Sequence, residues 1–236
     1  MKNLRILAAS LAVTLVSVFV APSAEALSIR ISDDGGATFT TVSDGGLLDA
    51  SPLAGAVSFA ANLPTFQIVL TAGFSDPLTG PPTSPNLVFN LEAFSLNGGT
   101  LIAELSDDNF GPSGTAVTSS IASPPPLNLT NPPFPLAASS AVAYETFYSA
   151  TNVEFAADVS LTGPTLAPGA DVGVLPSGAF PYSLTQRILI VSSPGVSTAS
   201  ARLSVGPAQV PDGGLALSLL GFALVGVEGL RRKFKK

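Results

Sequence analysis

The chain has 236 residues, 46% of them hydrophobic, with no histidine and no cysteine, which excludes Ser-His-Asp and cysteine-nucleophile chemistry, ordinary zinc sites and disulfides. Seven of its ten basic residues lie at the two ends, so that residues 27–210 carry only Arg30, Arg187 and Arg202 against thirteen carboxylates, a net charge of −10. Such a body repels nucleic acid and anionic membrane surfaces, whose phosphates need clustered Lys or Arg.

At the N-terminus Lys2 and Arg5 precede an apolar run from Ile6 to Val20, followed by Ala24-Glu25-Ala26. A positive start, a short apolar segment and an A-x-A site are the three parts of a secretory signal. Residues 1–26 are therefore expected to form a signal helix removed after Ala26, leaving Leu27 as the first mature residue. An uncleaved anchor is the alternative.

From residue 27 the apolar period is 2, not 3.6. Short strands are predicted over 28–31, 37–42, 56–63, 115–122, 141–149 and 157–161. Phe66, Ile68, Leu70, Ala72 and Phe74 alternate with Thr65, Gln67, Thr71 and Gly73, Val69 being the exception, and are expected on one buried face. Residues 87–95 and 100–105 flank Asn97-Gly98-Gly99, and 182–191 and 196–205 flank Ser193-Pro194-Gly195, which predicts two hairpins. The second hairpin should bury Ala199, Ala201, Leu203 and Val205. The stretches 75–86 and 123–135 are proline-rich loops, because proline cannot donate to a sheet ladder. Taken together, 27–209 is expected to be one all-β ectodomain, a two-sheet antiparallel β-sandwich, rather than two thin domains divided at 123–135.

Val210-Pro211-Asp212-Gly213-Gly214 then breaks the pattern, and residues 215–230 form an apolar stretch. As a helix it would extend about 24 Å, a marginal transmembrane span. Arg231, Arg232, Lys233, Lys235 and Lys236 supply a basic stop, which should stay cytoplasmic while the ectodomain lies outside. A Val-Pro-x-x-Gly motif, an apolar helix and a terminal basic cluster, here spanning 210–236, resemble the C-terminal sorting signal of the PEP-CTERM class. The match is nearest to its VPDSG-CTERM variant, with Gly213 where Ser is usual. The resemblance implies an exosortase-type processing enzyme as partner at the inner membrane of a Gram-negative bacterium that makes exopolysaccharide. It also implies recognition through residues 210–214 and a final location at the cell surface or outside the cell. A plain single-span anchor is the other reading of the same residues.

Ser32-Asp33-Asp34-Gly35-Gly36-Ala37-Thr38-Phe39 resembles an Asp-box, a structural hairpin, and Asp34 is expected to bond turn amides. Asp33 with Asp34, and Asp107 with Asp108, are weak calcium candidates, since neither stretch has the spacing of a dedicated calcium loop. No other cofactor is expected. Glu92, Glu104, Glu145, Glu154 and Asp158 are the strand-borne carboxylates that a glycosidase would need as a pair. The chain lacks Trp and has three Tyr, few aromatics for stacking sugars. The expected role is a non-enzymatic surface or matrix protein, structural or adhesive, alongside exopolysaccharide. A calcium- or polysaccharide-binding module is the alternative, and a carboxylate-dependent glycosidase the third.

Overall fold

The computed structural model describes residues 27–124, 137, 140–177 and 180–206. The expected signal helix (1–26), the sorting motif, helix and basic tail (210–236) and most of the loop at 123–135 lie outside the described residues. No helix of the described residues is long and apolar enough to cross a membrane.

Twelve strands make up the described body: β1 (Ser28–Ser32), β2 (Thr40–Ser43), β3 (Ala56–Asn62), β4 (Phe66–Phe74), β5 (Asn86–Ser95), β6 (Gly99–Phe110), β7 (Ala116–Ala122), β8 (Ser140–Ser149), β9 (Val159–Leu166), β10 (Gly169–Val174), β11 (Tyr182–Ser192) and β12 (Gly195–Gly206). They form two six-stranded sheets, in the orders β2-β1-β6-β11-β8-β9 and β10-β7-β12-β5-β4-β3. The pairings are antiparallel, and the fold is an all-β two-sheet sandwich.

The core lies between the sheets because alternate residues of each central strand face inward. Leu101, Ala103 and Leu105 of β6 and Leu184, Ile188 and Ile190 of β11 meet Leu87, Phe89 and Leu91 of β5 and Ala199, Ala201, Leu203 and Val205 of β12. Burying each large member is worth about 1.5–3 kcal/mol. Gln186 is a polar residue on the inward face of β11, and its Nε2 donates to the Leu87 carbonyl of the opposite sheet at 2.9 Å.

Three sequence expectations are corrected. Asn97-Gly98-Gly99 does not close a hairpin, because β5 belongs to one sheet and β6 to the other. Ser193-Pro194-Gly195 likewise carries the chain from β11 in the first sheet to β12 in the second. Both turns are arches between layers, and they stack. A Cβ on Gly98, whose φ is +76°, would stand 2.6 Å from the Ser192 carbonyl oxygen. Alternation cannot distinguish the two outcomes, since a hairpin strand and an arch strand each bury one face.

The third correction is in β4. A bulge between Ile68 and Leu70 shifts its register against β5. Phe66 and Ile68 face the core, but beyond the bulge it is Thr71 and Gly73 that do so, while Leu70, Ala72 and Phe74 are half-buried on the outer face. One extra residue reverses the alternation downstream of it. Gly73 fits because a Cβ there would overlap Leu105. The sequence reading also omitted β10, whose Gly169 and Gly173 weaken the strand signal and whose Val172 and Val174 are exposed.

Candidate functional site: an arginine–glutamate row on the outer sheet face

On β1, β6, β11 and β8 the residues between the core positions point outward, and the register aligns them in rows. Arg30 is opposite Glu104, Glu104 opposite Arg187, and Arg187 opposite Glu145. The next row is Ile102, Leu189 and Ala143, aligned by the same pairings. A charged row thus lies beside an apolar row across the middle of one sheet.

These two rows floor a cleft of about 430 Å³, within the usual range for ligand sites. Gly36 and Phe39, from the turn between β1 and β2, line it on one side, and Pro164 of β9 on the other. The Asp-box residues hold the first wall. Asp34 accepts from the Ser32 hydroxyl at 2.6 Å and from the Thr38 amide at 3.0 Å. Those hydrogen bonds, led by the Ser32 one, keep the Asp34 carboxyl well below the usual carboxylate range. At the second wall Gly163, with φ +97°, lets β9 approach β8 so closely that a Cβ there would overlap the Tyr144 carbonyl oxygen.

Glu104 is buried, and each of its oxygens accepts from an arginine Nε: Oε2 from Arg30, and Oε1 from Arg187 at 2.6 Å. Such charge-assisted bonds fix both guanidinium groups by their inner nitrogens. Both arginines line the cleft, with Arg30 25% and Arg187 32% exposed. Arg30 is also clasped between two rings, with its guanidinium carbon 4.4 Å from the centres of both Phe39 and Phe155; Arg187 lies 4.7 Å from the centre of Phe147. Arg187 Nη1 and Glu145 Oε2 are 3.6 Å apart, too far for a direct hydrogen bond, and Glu145 is 31% exposed.

Phe155 comes from the loop between β8 and β9, which folds over this sheet face. Its amide donates to Ser106 Oγ at 3.0 Å, and its φ is +58°, unusual for a bulky residue. The same loop carries Glu154, whose Oε1 is buried without a hydrogen-bond partner. Burial, with a smaller contribution from the Asp108 charge, raises its carboxyl to about 7, against a lowering by the Ser28 hydrogen bond.

The other sequence candidates fall elsewhere. Asp33 Oδ2 accepts from the Thr65 amide at 2.6 Å, and Asp107 Oδ1 from the Asp108 amide at 2.8 Å. Among the described residues no group of three or more His, Cys, Asp or Glu gathers as a metal site would need. Glu92 lies on the outer face of the second sheet, and Asp158 accepts from Ser149 Oγ at 2.6 Å. Of the five glycosidase candidates, Glu104 and Glu145 share the cleft, and Glu104 has both oxygens occupied. Arg202, the third arginine, reaches Asn86 on the other sheet. The sequence reading named Arg30, Arg187, Glu104 and Glu145 separately but did not join them. Each sits outward on an alternating strand, and only the strand order brings them together.

No protein-family model matches the sequence, and no curated protein matches it. Among solved structures it is similar to a carbohydrate-binding module described for specific mannan recognition, TmCBM27, at 9% identity over 63% of this chain and 98% of that one, with a TM-score of 0.27. A further likeness is to the K1 cleaved adhesin domain of Lys-gingipain from Porphyromonas gingivalis W83, at 15% identity, 68% and 95% coverage and a TM-score of 0.27. Carbohydrate-binding modules of the β-sandwich superfamily match at 14% identity, 75% and 72% coverage and a TM-score of 0.29. Likenesses this distant carry no ligand chemistry to the present chain.

Proposed function

We propose that the chain is an exported, non-enzymatic polysaccharide-binding protein of the cell surface or extracellular matrix, with its ligand in the cleft between Phe39 and Pro164. One observation carries this reading: a fixed row of hydrogen-bonding groups lies directly beside an apolar row in an open cleft. A pyranose chain presents the same two surfaces, hydroxyl edges and C–H faces. Two of the three arginines in residues 27–210 are spent on this one cleft. The test is gel retardation of the full chain in detergent by a panel of soluble polysaccharides, with Ala143→Arg to fill the floor. Retardation by at least one polymer, reduced tenfold or more in Ala143→Arg, is expected, and no retardation by any polymer overturns the reading.

Export and release form the second part of the proposal, supported by the residue pattern at 1–26 and 210–236. An exosortase-type enzyme would cut at or near Val210–Gly214 while the apolar stretch and basic tail hold the chain at the inner membrane. The intact mass of the secreted form tests this. A product running from Leu27 to between residues 211 and 214 is expected, and a membrane-bound product ending at Lys236 leaves a plain anchored protein.

A further inference from the structure

We infer that the cleft selects neutral polysaccharide over acidic polysaccharide, with one sugar hydroxyl bridging Arg187 and Glu145; this rests on the polysaccharide-binding reading above. The charges in the row decide it. Arg30, Glu104, Arg187 and Glu145 sum to zero, and the positive ends of both arginines are already balanced within the row. A uronate or sulfate arriving there finds no uncompensated cation. It also meets Glu145 at the rim of the cleft and a body of net charge −10, a repulsion felt over roughly 8–10 Å at ordinary ionic strength.

A neutral hydroxyl fits where a carboxylate does not. A guanidinium nitrogen such as Arg187 Nη1 can only donate, and a carboxylate oxygen such as Glu145 Oε2 can only accept. Their separation of 3.6 Å leaves both with unused capacity on the open side. A hydroxyl seated there accepts from the guanidinium and donates to the carboxylate, using both its functions at once, while a carboxylate can only accept. Because Arg187 is tied to Glu104 and rests against Phe147, its donor is placed before the ligand arrives. Less rotamer entropy is then lost on binding. The neighbouring Ile102, Leu189 and Ala143 give the C–H face of the same sugar an apolar seat.

The experiment is gel retardation of the full chain in detergent by neutral polymers (dextran, galactomannan and mixed-linkage β-glucan) and acidic ones (alginate and polygalacturonate), in wild type, Glu145→Ala and Ala143→Arg. The expected result is retardation by a neutral polymer, weakened tenfold or more in both variants, with no comparable binding of acidic polymers at low salt. Retardation by acidic polymers alone, lost in Ala143→Arg, overturns the neutral selectivity and leaves the polysaccharide reading standing. Neutral binding lost in Ala143→Arg but unchanged in Glu145→Ala overturns the bridging hydroxyl. Binding indifferent to Ala143→Arg overturns the cleft itself. Circular dichroism of each variant confirms that a loss is not a loss of fold.

Discussion

Arg187 and Glu104 stand directly opposite each other on adjacent strands and are joined at 2.6 Å, with Glu104 buried and Arg187 a third exposed. Since Arg30 holds the other oxygen, one buried carboxylate balances two guanidinium groups. Removing it leaves Arg30 without its carboxylate and Arg187 with only the more distant Glu145, and breaking a buried pair from one side costs about 3–5 kcal/mol. The partial exposure of the arginines lowers this, so Glu104→Ala is expected to cost about 2–4 kcal/mol. Denaturant unfolding measures the change, and a loss below about 1 kcal/mol would mean the row is ornamental. Replacing Arg30, Glu104 and Arg187 together with Leu should cost less than Glu104→Ala alone, because the one charge left without its partner is then the part-exposed Glu145.

Gly163 makes a separate claim on the same cleft. Its φ of +97° disfavours any side chain, and a Cβ would overlap the Tyr144 carbonyl oxygen and lie 3.0 Å from Glu145 Cα. Gly163→Ala should therefore cost more than the roughly 1 kcal/mol of a left-handed residue in open space. It should also weaken ligand binding by displacing Glu145. Measuring stability and polysaccharide retardation on the same variant checks both, and an unchanged Tm would show that β9 does not need its close approach to β8.

Glu154 predicts a pH dependence. Burial raises its folded-state carboxyl to about 7 from an ordinary 4.5. The folded state thus binds more protons than the unfolded one between these values, so stability must fall as pH rises from about 4.5 to 7. Solvent screening at this half-buried group reduces the effect to about 1–2 kcal/mol. The groups bearing on it are Asp108, whose charge opposes ionisation, and Ser28, whose hydrogen bond favours it. Thermal unfolding at pH 5 and pH 8 should show the loss, and Glu154→Gln should flatten it. A slope that survives in Glu154→Gln belongs to another group, and Asp108 and Asp76 are the candidates, since burial raises both.

Part of the sandwich was legible because its strands are apolar runs set off by Gly and Pro, and β12 alternates from Ala199 onward, where Ala199, Ala201, Leu203 and Val205 are buried between less buried neighbours. Pairing was not. Asn97-Gly98-Gly99 has the residues of a hairpin turn, yet the chain uses them to change sheets, and that choice depends on the whole packing of β5 on β12 and β6 on β11. The cleft shares this limit. Arg30 and Arg187 lie on strands separated by most of the chain, and only β6 between them brings their guanidinium groups to one carboxylate. Outward-facing polar residues were visible in sequence, but their alignment is a property of register.

The bulge in β4 provides a direct test of how that strand is threaded. Strict alternation puts Thr71 on the outer face, where exchanging it for Val changes little. In the fold Thr71 is buried beyond the bulge, and its Oγ1 is without a hydrogen-bond partner. A buried hydroxyl that bonds nothing carries an uncompensated desolvation cost of about 1–3 kcal/mol. Val has nearly the same shape and no hydroxyl, so Thr71→Val should stabilise the protein by about 1 kcal/mol, allowing for incomplete recovery of that cost. For a body of this size the Tm should rise by about 2–4 °C. Thr71→Ser keeps the hydroxyl while deleting a packed methyl, and should destabilise by about 1 kcal/mol. If both variants unfold at the wild-type temperature, Thr71 faces water, β4 runs without a bulge, and Leu70, Ala72 and Phe74 belong to the core.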